Sequence, residues 1–177
     1  MVHSNNLADV LRYSAGSIGY ERKEMTLVKA TDRKVSAEIL VVGLSRINAT
    51  SGKKSPRLHI ESGDMSIDRA GLIDALQDMG ATGAADEVIK LPAQGYRLLV
   101  LTGLGEHRSS SRYSAEVLRR AAGAASRSLE GHASATFSLP YDSLEDLAAI
   151  AEGALLGAYA FDEFRGSTLK DRKKPLQ

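Results

Sequence analysis

The strongest constraint on this chain is its small-residue run, Ala148-Ala149-Ile150-Ala151-Glu152-Gly153-Ala154-Leu155-Leu156-Gly157-Ala158-Tyr159-Ala160-Phe161-Asp162-Glu163-Phe164. Its alanines favour a helix, and Ala148, Ala151, Gly153, Ala154, Gly157 and Ala158 keep that helix thin on more than one side. A helix of this shape makes close contact with a sheet or with another helix. Asp142-Ser143-Leu144-Glu145 opens it, with Asp142 or Ser143 accepting from the first unpaired amides and Glu145 reaching back as in a capping box. The basic, Pro-containing stretch from Gly166 to Gln177 then reads as a linker, so a domain closes before it.

With 177 residues and 43% of them hydrophobic, the chain suffices for one domain with a real core and is too short for two ordinary ones. Lys plus Arg number 23 against 22 Asp plus Glu, a formal charge of +1, so no global field draws in polyanions or acidic membranes. Nucleic-acid binding gets no support from charge. The absence of cysteine removes disulfides, thiolate nucleophiles and Cys-ligated metals together. The opening Met1-Val2-His3-Ser4-Asn5-Asn6 lacks the basic start and apolar core of a secretory signal. The longest apolar stretch, Leu147 to Phe161, is interrupted by Glu152 and falls short of the ~20 residues of a bilayer span. The expectation is a soluble cytoplasmic protein with no membrane partner.

Along the chain, short β-rich runs alternate with helical patterns, the signature of an α/β layer fold. Residues 1–24 carry scattered apolar positions and read as a flexible lead-in. Met25 to Ala30 alternates weakly, and Ala37 to Gly43 is a nearly continuous apolar run of the kind buried central strands show. Two strands are therefore expected to open the fold. From Ser45 to Ser66 periodicity is lost, and Ser51-Gly52-Lys53-Lys54-Ser55-Pro56 marks a long exposed loop. From Asp68, the stripe Leu72, Ile73, Leu76, Met79 predicts a helix that Gly80 terminates as a left-handed cap. Asp86 to Leu91 and Tyr96 to Leu101, joined by Pro92-Ala93-Gln94-Gly95, read as two strands and a tight turn. A helix from about Ser111 to Leu129 draws its core face from Val117, Leu118, Ala121, Ala122 and Ala125, and a strand from Ala133 to Leu139 follows.

No catalytic constellation is legible in the spacing of the polar residues. His3, His59, His107 and His132 stand apart, none at the spacing of a helical zinc pair, and read as surface or locally hydrogen-bonded side chains. Ser109, Ser110 and Ser111 sit near Glu106 and His107 without a nucleophile elbow, and read as a loop and helix cap. Lys53-Lys54 and the Lys170 to Lys174 segment have no interleaved aromatic residues and read as solvated charge. Gly103-Leu104-Gly105 is the one candidate ligand element: it follows a buried strand and precedes a helix, so its amides, with Arg108 or Arg112, offer an anion site. The competing reading is a turn that needs small residues for backbone reasons alone.

Three blocks in this order, Leu98-Leu99-Val100-Leu101-Thr102-Gly103-Leu104-Gly105, Leu118-Arg119-Arg120-Ala121-Ala122-Gly123-Ala124-Ala125 and Glu152-Gly153-Ala154-Leu155-Leu156-Gly157-Ala158-Tyr159-Ala160-Phe161-Asp162, resemble the N-terminal domain of the leucyl aminopeptidases, also called cytosol aminopeptidases. The resemblance spans residues 25–166 and implies a macro-domain-like three-layer α/β fold, with a mixed, mostly parallel sheet flanked by helices. It further implies that residues 167–177 begin a linker to a C-terminal catalytic domain absent from this sequence. That domain would bind two divalent metals, zinc or manganese, hydrolyse the first peptide bond, and assemble as a homo-hexamer. The family's Asn-Thr-Asp-Ala-Glu-Gly-Arg-Leu motif and its catalytic lysines are missing here. Ala151-Glu152-Gly153 repeats three letters of the motif without its flanks. The resemblance thus implies a non-catalytic part serving assembly and packing on the catalytic domain, with no catalytic or metal residue of its own. The alternative is a stand-alone macro-like module binding ADP-ribose or another nucleotide, with Gly103 and Gly105 in its site. A weaker possibility comes from family members that bind DNA.

Overall fold

The computed structural model describes residues 26–31, 38–47, 57–62, 69–93, 95–107, 112–159, 173, 174 and 176. The lead-in 1–24, the Ser51 to Pro56 loop, Arg108, Ser109 to Ser111, Phe161, Phe164 and most of the linker 167–177 lie outside the described residues.

The continuous apolar run predicted as a central strand is one. Strand β1 (Ile39–Ile47) is buried from Ile39 to Ser45, and its length brings three other strands to it. Along one edge runs β4 (Tyr96–Glu106), in parallel. The opposite edge is shared: β5 (Thr136–Ser138) pairs in parallel with Leu40 to Val42, and β2 (Arg57–Glu61) pairs antiparallel with Gly43 to Ile47. Strand β3 (Val88–Ala93) completes the sheet antiparallel to β4, giving the order β2-β1-β4-β3 with β5 beside β1.

The period of two in these strands sorts side chains to two faces. On one face Leu40, Val42, Leu44, Leu58, Ile60, Leu99 and Leu101 meet helix α1 (Arg69–Asp78) through Leu72, Ile73 and Leu76. On the other, Ile39, Val41 and Val100 meet α2 (Ala115–Ser128) and α3 (Leu144–Ala158), with Ala125, Leu129 and Ala158 in contact. The result is the expected α/β architecture, a mixed sheet between helical layers.

Several local expectations need correction. Residues 26–30 form no strand, whereas 57–61, inside the segment expected to be loop, form β2. Two of the strand pairings are parallel and two antiparallel, so among the described strands parallel pairing does not predominate. The turn between β3 and β4 is tighter than Pro92-Ala93-Gln94-Gly95, since Ala93 pairs with Tyr96 and Pro92 lies inside β3 at a shift of register; Gln94 lies outside the described residues. The last predicted strand shortens to Thr136–Ser138. Met79 is 58% exposed and leaves the α1 stripe, while Gly80 takes the left-handed conformation (φ 77°) as expected and the Ala81 amide donates to Leu76 O across it.

The small-residue helix finds another helix. A Cβ on Gly153 would lie 2.1 Å from Arg119 O, and one on Gly157 would lie 2.3 Å from Gly123 O, so the α2 and α3 backbones touch where only hydrogen fits. Arg119 straps the outside of this seam, bonding Glu116 on its own helix at 2.7 Å and Glu152 on α3 at 2.9 Å. Alanine has the better intrinsic helix propensity by about 0.8–1.0 kcal/mol, yet at Gly157 the steric clash outweighs it. Gly157→Ala is expected to destabilise the chain by about 1–3 kcal/mol, the usual cost of overpacking, read as a lowered Tm in thermal unfolding; an unchanged or raised Tm would show that the helices do not meet there.

Helix α3 starts one residue later than a cap at Asp142 would place it. Ser143 is the N-cap, and its partner in the capping box is therefore Asp146 rather than Glu145. The Asp146 carboxylate accepts from the amides of Asp142 (2.9 Å) and Ser143 (3.0 Å) and from Arg112 Nη2 (2.8 Å). The Asp142 amide first, then Arg112 and Ser143, hold its pKa at about 2 against an ordinary 3.8, despite the opposing effect of desolvation. A carboxyl lowered on folding contributes stability that is full above the unfolded value and drains away as the pH falls through the folded one. Asp146→Asn is accordingly expected to flatten the loss of stability between pH 3.8 and about 2, measured by denaturant unfolding across that range.

Candidate functional site

Where β1 and β4 end, the face that carries α2 and α3 turns polar. Along β2, Leu58 and Ile60 point to the α1 side, which sends His59 and Glu61 to the opposite one. The register sets Ser45 opposite His59 and Gly43 opposite Glu61. His107 arrives from the far side of β1, just beyond β4, its amide donating to Arg46 O at 2.8 Å. Tyr113 comes from the residues before α2 and belongs to an apolar cluster with Leu104, Leu118 and Ile150.

These side chains meet at one carboxylate. Glu61 Oε1 accepts from Ser45 Oγ at 2.9 Å and from the Tyr113 hydroxyl at 2.8 Å, and stands 2.7 Å from His107 Nδ1. Glu61 Oε2 lies 3.8 Å from His59 Nε2. The imidazoles of His59 and His107 stack at a tilt, with ring centroids 4.4 Å apart. Burial by itself would raise the pKa of Glu61. The hydrogen bonds from Tyr113, His107 and Ser45, with the electrostatic influence of His59, outweigh it and leave the carboxyl below its usual value. A negative charge is thus held in a half-covered niche with hydroxyl donors on one oxygen. Beside it, Leu104, Glu106, Arg112, Tyr113, Ser114 and Val117 line an open cleft of about 320 Å³.

Of the candidates read from the sequence, Gly103 and Gly105 are both described, and both lie inside β4 rather than in a strand-to-helix turn. The Gly103 amide donates to Glu87 O at 2.8 Å and the Gly105 amide to Gly83 O at 2.9 Å, so neither N–H is available to an anion. A Cβ on Gly103 would fall 1.7 Å from Ala84 O, and Gly105 has φ 81° at the register shift between β1 and β4. These are the backbone reasons weighed against the ligand reading, and they suffice. Glu152, the centre of the Ala-Glu-Gly echo, is ion-paired with Arg119 on the helix surface.

His59 and His107, isolated in the sequence, are brought together across three neighbouring strands. The available signal was the alternation Leu58-His59-Ile60-Glu61, which marks a half-buried strand with His and Glu on one face. Nothing local could place His107 beside them.

A probable cytosol aminopeptidase of Streptomyces griseus is 44% identical over 153 residues, covering 82% of this chain and 28% of the relative. One from Streptomyces avermitilis is 38% identical over 165 residues, covering 86% and 31%. This chain therefore spans less than a third of the length of these relatives. Among solved structures, the bottromycin maturation enzyme BotP in complex with Mn aligns with a TM-score of 0.49 at 22% identity, over 73% of this chain and 25% of that one. A tomato leucine aminopeptidase mutant aligns with a TM-score of 0.41 at 17% identity, over 88% and 32%. The profile of the cytosol aminopeptidase family, N-terminal domain, matches residues 53–168, from the approach to β2 past the end of α3, and the chain belongs to that family.

Proposed function

We propose that this chain is the non-catalytic N-terminal domain of a leucyl aminopeptidase, a hydrolase that releases N-terminal amino acids from peptides. What carries the reading is the agreement between the family match over residues 53–168 and relatives described as probable cytosol aminopeptidases. The parent works in the cytoplasm as a homo-hexamer, and its C-terminal domain holds two divalent metals, manganese or zinc. In this chain residues 25–166 form the domain, behind the lead-in 1–24, and 167–177 begin the linker.

The described residues do not fit the two-metal centre. Such a site needs several carboxylates around ions ~3.5–4 Å apart. Among the described residues, the one cluster of metal-ligating side chains brings two histidines but a single carboxylate. The peptidase chemistry is accordingly assigned to the catalytic domain. Support for a packing role comes from α3, where Leu156 (68% exposed) and Tyr159 (71% exposed) lie one turn apart close to the linker. In this reading they seat against the catalytic domain. The nucleotide-binding alternative loses its support with the Gly103 and Gly105 amides already engaged.

Assayed side by side on leucine p-nitroanilide with manganese or zinc, the longer product of the parent gene is expected to be active and this chain inactive. Activity in this chain alone, or in neither, would overturn the assignment. Leu156→Asp in the longer protein is expected to weaken domain packing and lower its Tm while changing that of the isolated chain little; equal shifts in both would refute the packing role.

A further inference from the structure

We propose that His59, Glu61 and His107 form a mononuclear binding site for a divalent transition metal of the zinc class, separate from any metal pair of a peptidase domain. The candidate ligand atoms, one from each residue, all lie within 4.8 Å of one another. Ligands about 2.0–2.2 Å from a tetrahedral zinc sit about 3.3 Å apart. Glu61 Oε2 lies 3.8 Å from His59 Nε2, close to that spacing, while His107 Nδ1 lies 2.7 Å from the other oxygen, Oε1. Metal entry at Oε2 requires the His59 separation to close by about half an ångström and His107 Nδ1 to turn from Oε1 toward the metal.

Three features favour a metal over a purely structural hydrogen-bond network. Glu61 is oriented in the way outer-shell partners orient a ligating carboxylate: Ser45 and Tyr113 hydroxyls anchor Oε1, and Oε2 faces His59. All the supports are rigid, since His59 and Glu61 stand on β2, Ser45 on β1, and His107 is bonded through its amide to β1. The site also has an entry path, because the His59 side chain is 41% exposed while Glu61 and His107 are 14% and 19% exposed. Two imidazoles and one carboxylate suit zinc and its neighbours rather than magnesium or calcium, which prefer oxygen ligands throughout. With three protein ligands, a fourth position beside His59 is left for water or a ligand from solvent.

The test is made on the tag-free 177-residue chain, with zinc chloride followed by calorimetry and cobalt chloride followed by visible absorption. One zinc per chain is expected, with cobalt d–d bands that zinc abolishes. His59→Ala removes an exposed ligand without touching the core, and is expected to weaken zinc binding about tenfold or more with an unchanged far-UV spectrum. Tyr113→Phe, which retains the ring and frees Oε1 of one donor, is expected to weaken binding by a factor of about ten. No saturable zinc binding by the folded chain would overturn the site, and so would zinc affinity unaltered in His59→Ala. Because the chain is tested without a catalytic domain, either result leaves the peptidase assignment untouched.

Discussion

Backbone contact between α2 and α3 is the constraint on which the rest of the architecture depends. Gly153 meets Arg119 O and Gly157 meets Gly123 O at separations that exclude a side chain, so the two helices behave as one thick slab. Of that slab, α2 faces the sheet, with Ala125, Leu129 and, at the end of α3, Ala158 meeting Ile39, Val41 and Val100. Apolar burial drives the contact, and its geometry is set by what the seam lacks. At the N-terminal end of the slab, Arg112 reaches across to Asp146 in the α3 capping box, so the chain entering α2 is tied to the first turn of α3.

The polar cluster inherits its rigidity from this arrangement. Tyr113 belongs to one apolar cluster with Leu104 of the sheet, Leu118 of α2 and Ile150 of α3, and its hydroxyl bonds Glu61. Ser45 is wholly buried on β1. The donors to Glu61 therefore sit in place for reasons of packing, and the carboxylate is stabilised by groups that need no reorganisation to bond it. The same positioning makes a carboxylate tolerable in a half-covered niche, where isolated burial would penalise its charge.

Strand β4 illustrates how one feature of sequence supports opposite readings. Glycines after a buried strand and before a helix suggest a phosphate-binding turn when viewed along the chain. In space the strand simply continues, because Gly103 must admit Ala84 O and Gly105 must take a left-handed conformation where β1 and β4 slip out of register. Proximity of another segment, invisible in local sequence, decided between them. Likewise β2 was hidden between glycine- and serine-rich flanks, although its two buried positions, Leu58 and Ile60, already alternated with His59 and Glu61.

The sequence by itself determined the elements whose signals are local: the continuous apolar β1, the α1 stripe with its Gly80 cap, the Ala-rich face of α2, and an α3 too thin to stand alone. Each follows from side-chain period or backbone conformational preference, which act within a few residues. It also carried the family resemblance, through three blocks whose order survives. Tertiary structure alone decided that α3 packs on a helix rather than on the sheet, that the cap partner is Asp146, and that His59, Glu61 and His107 converge. These depend on strand register and on the approach of segments 46 residues apart, as between Glu61 and His107, and such pairings are fixed by the packing of the whole core.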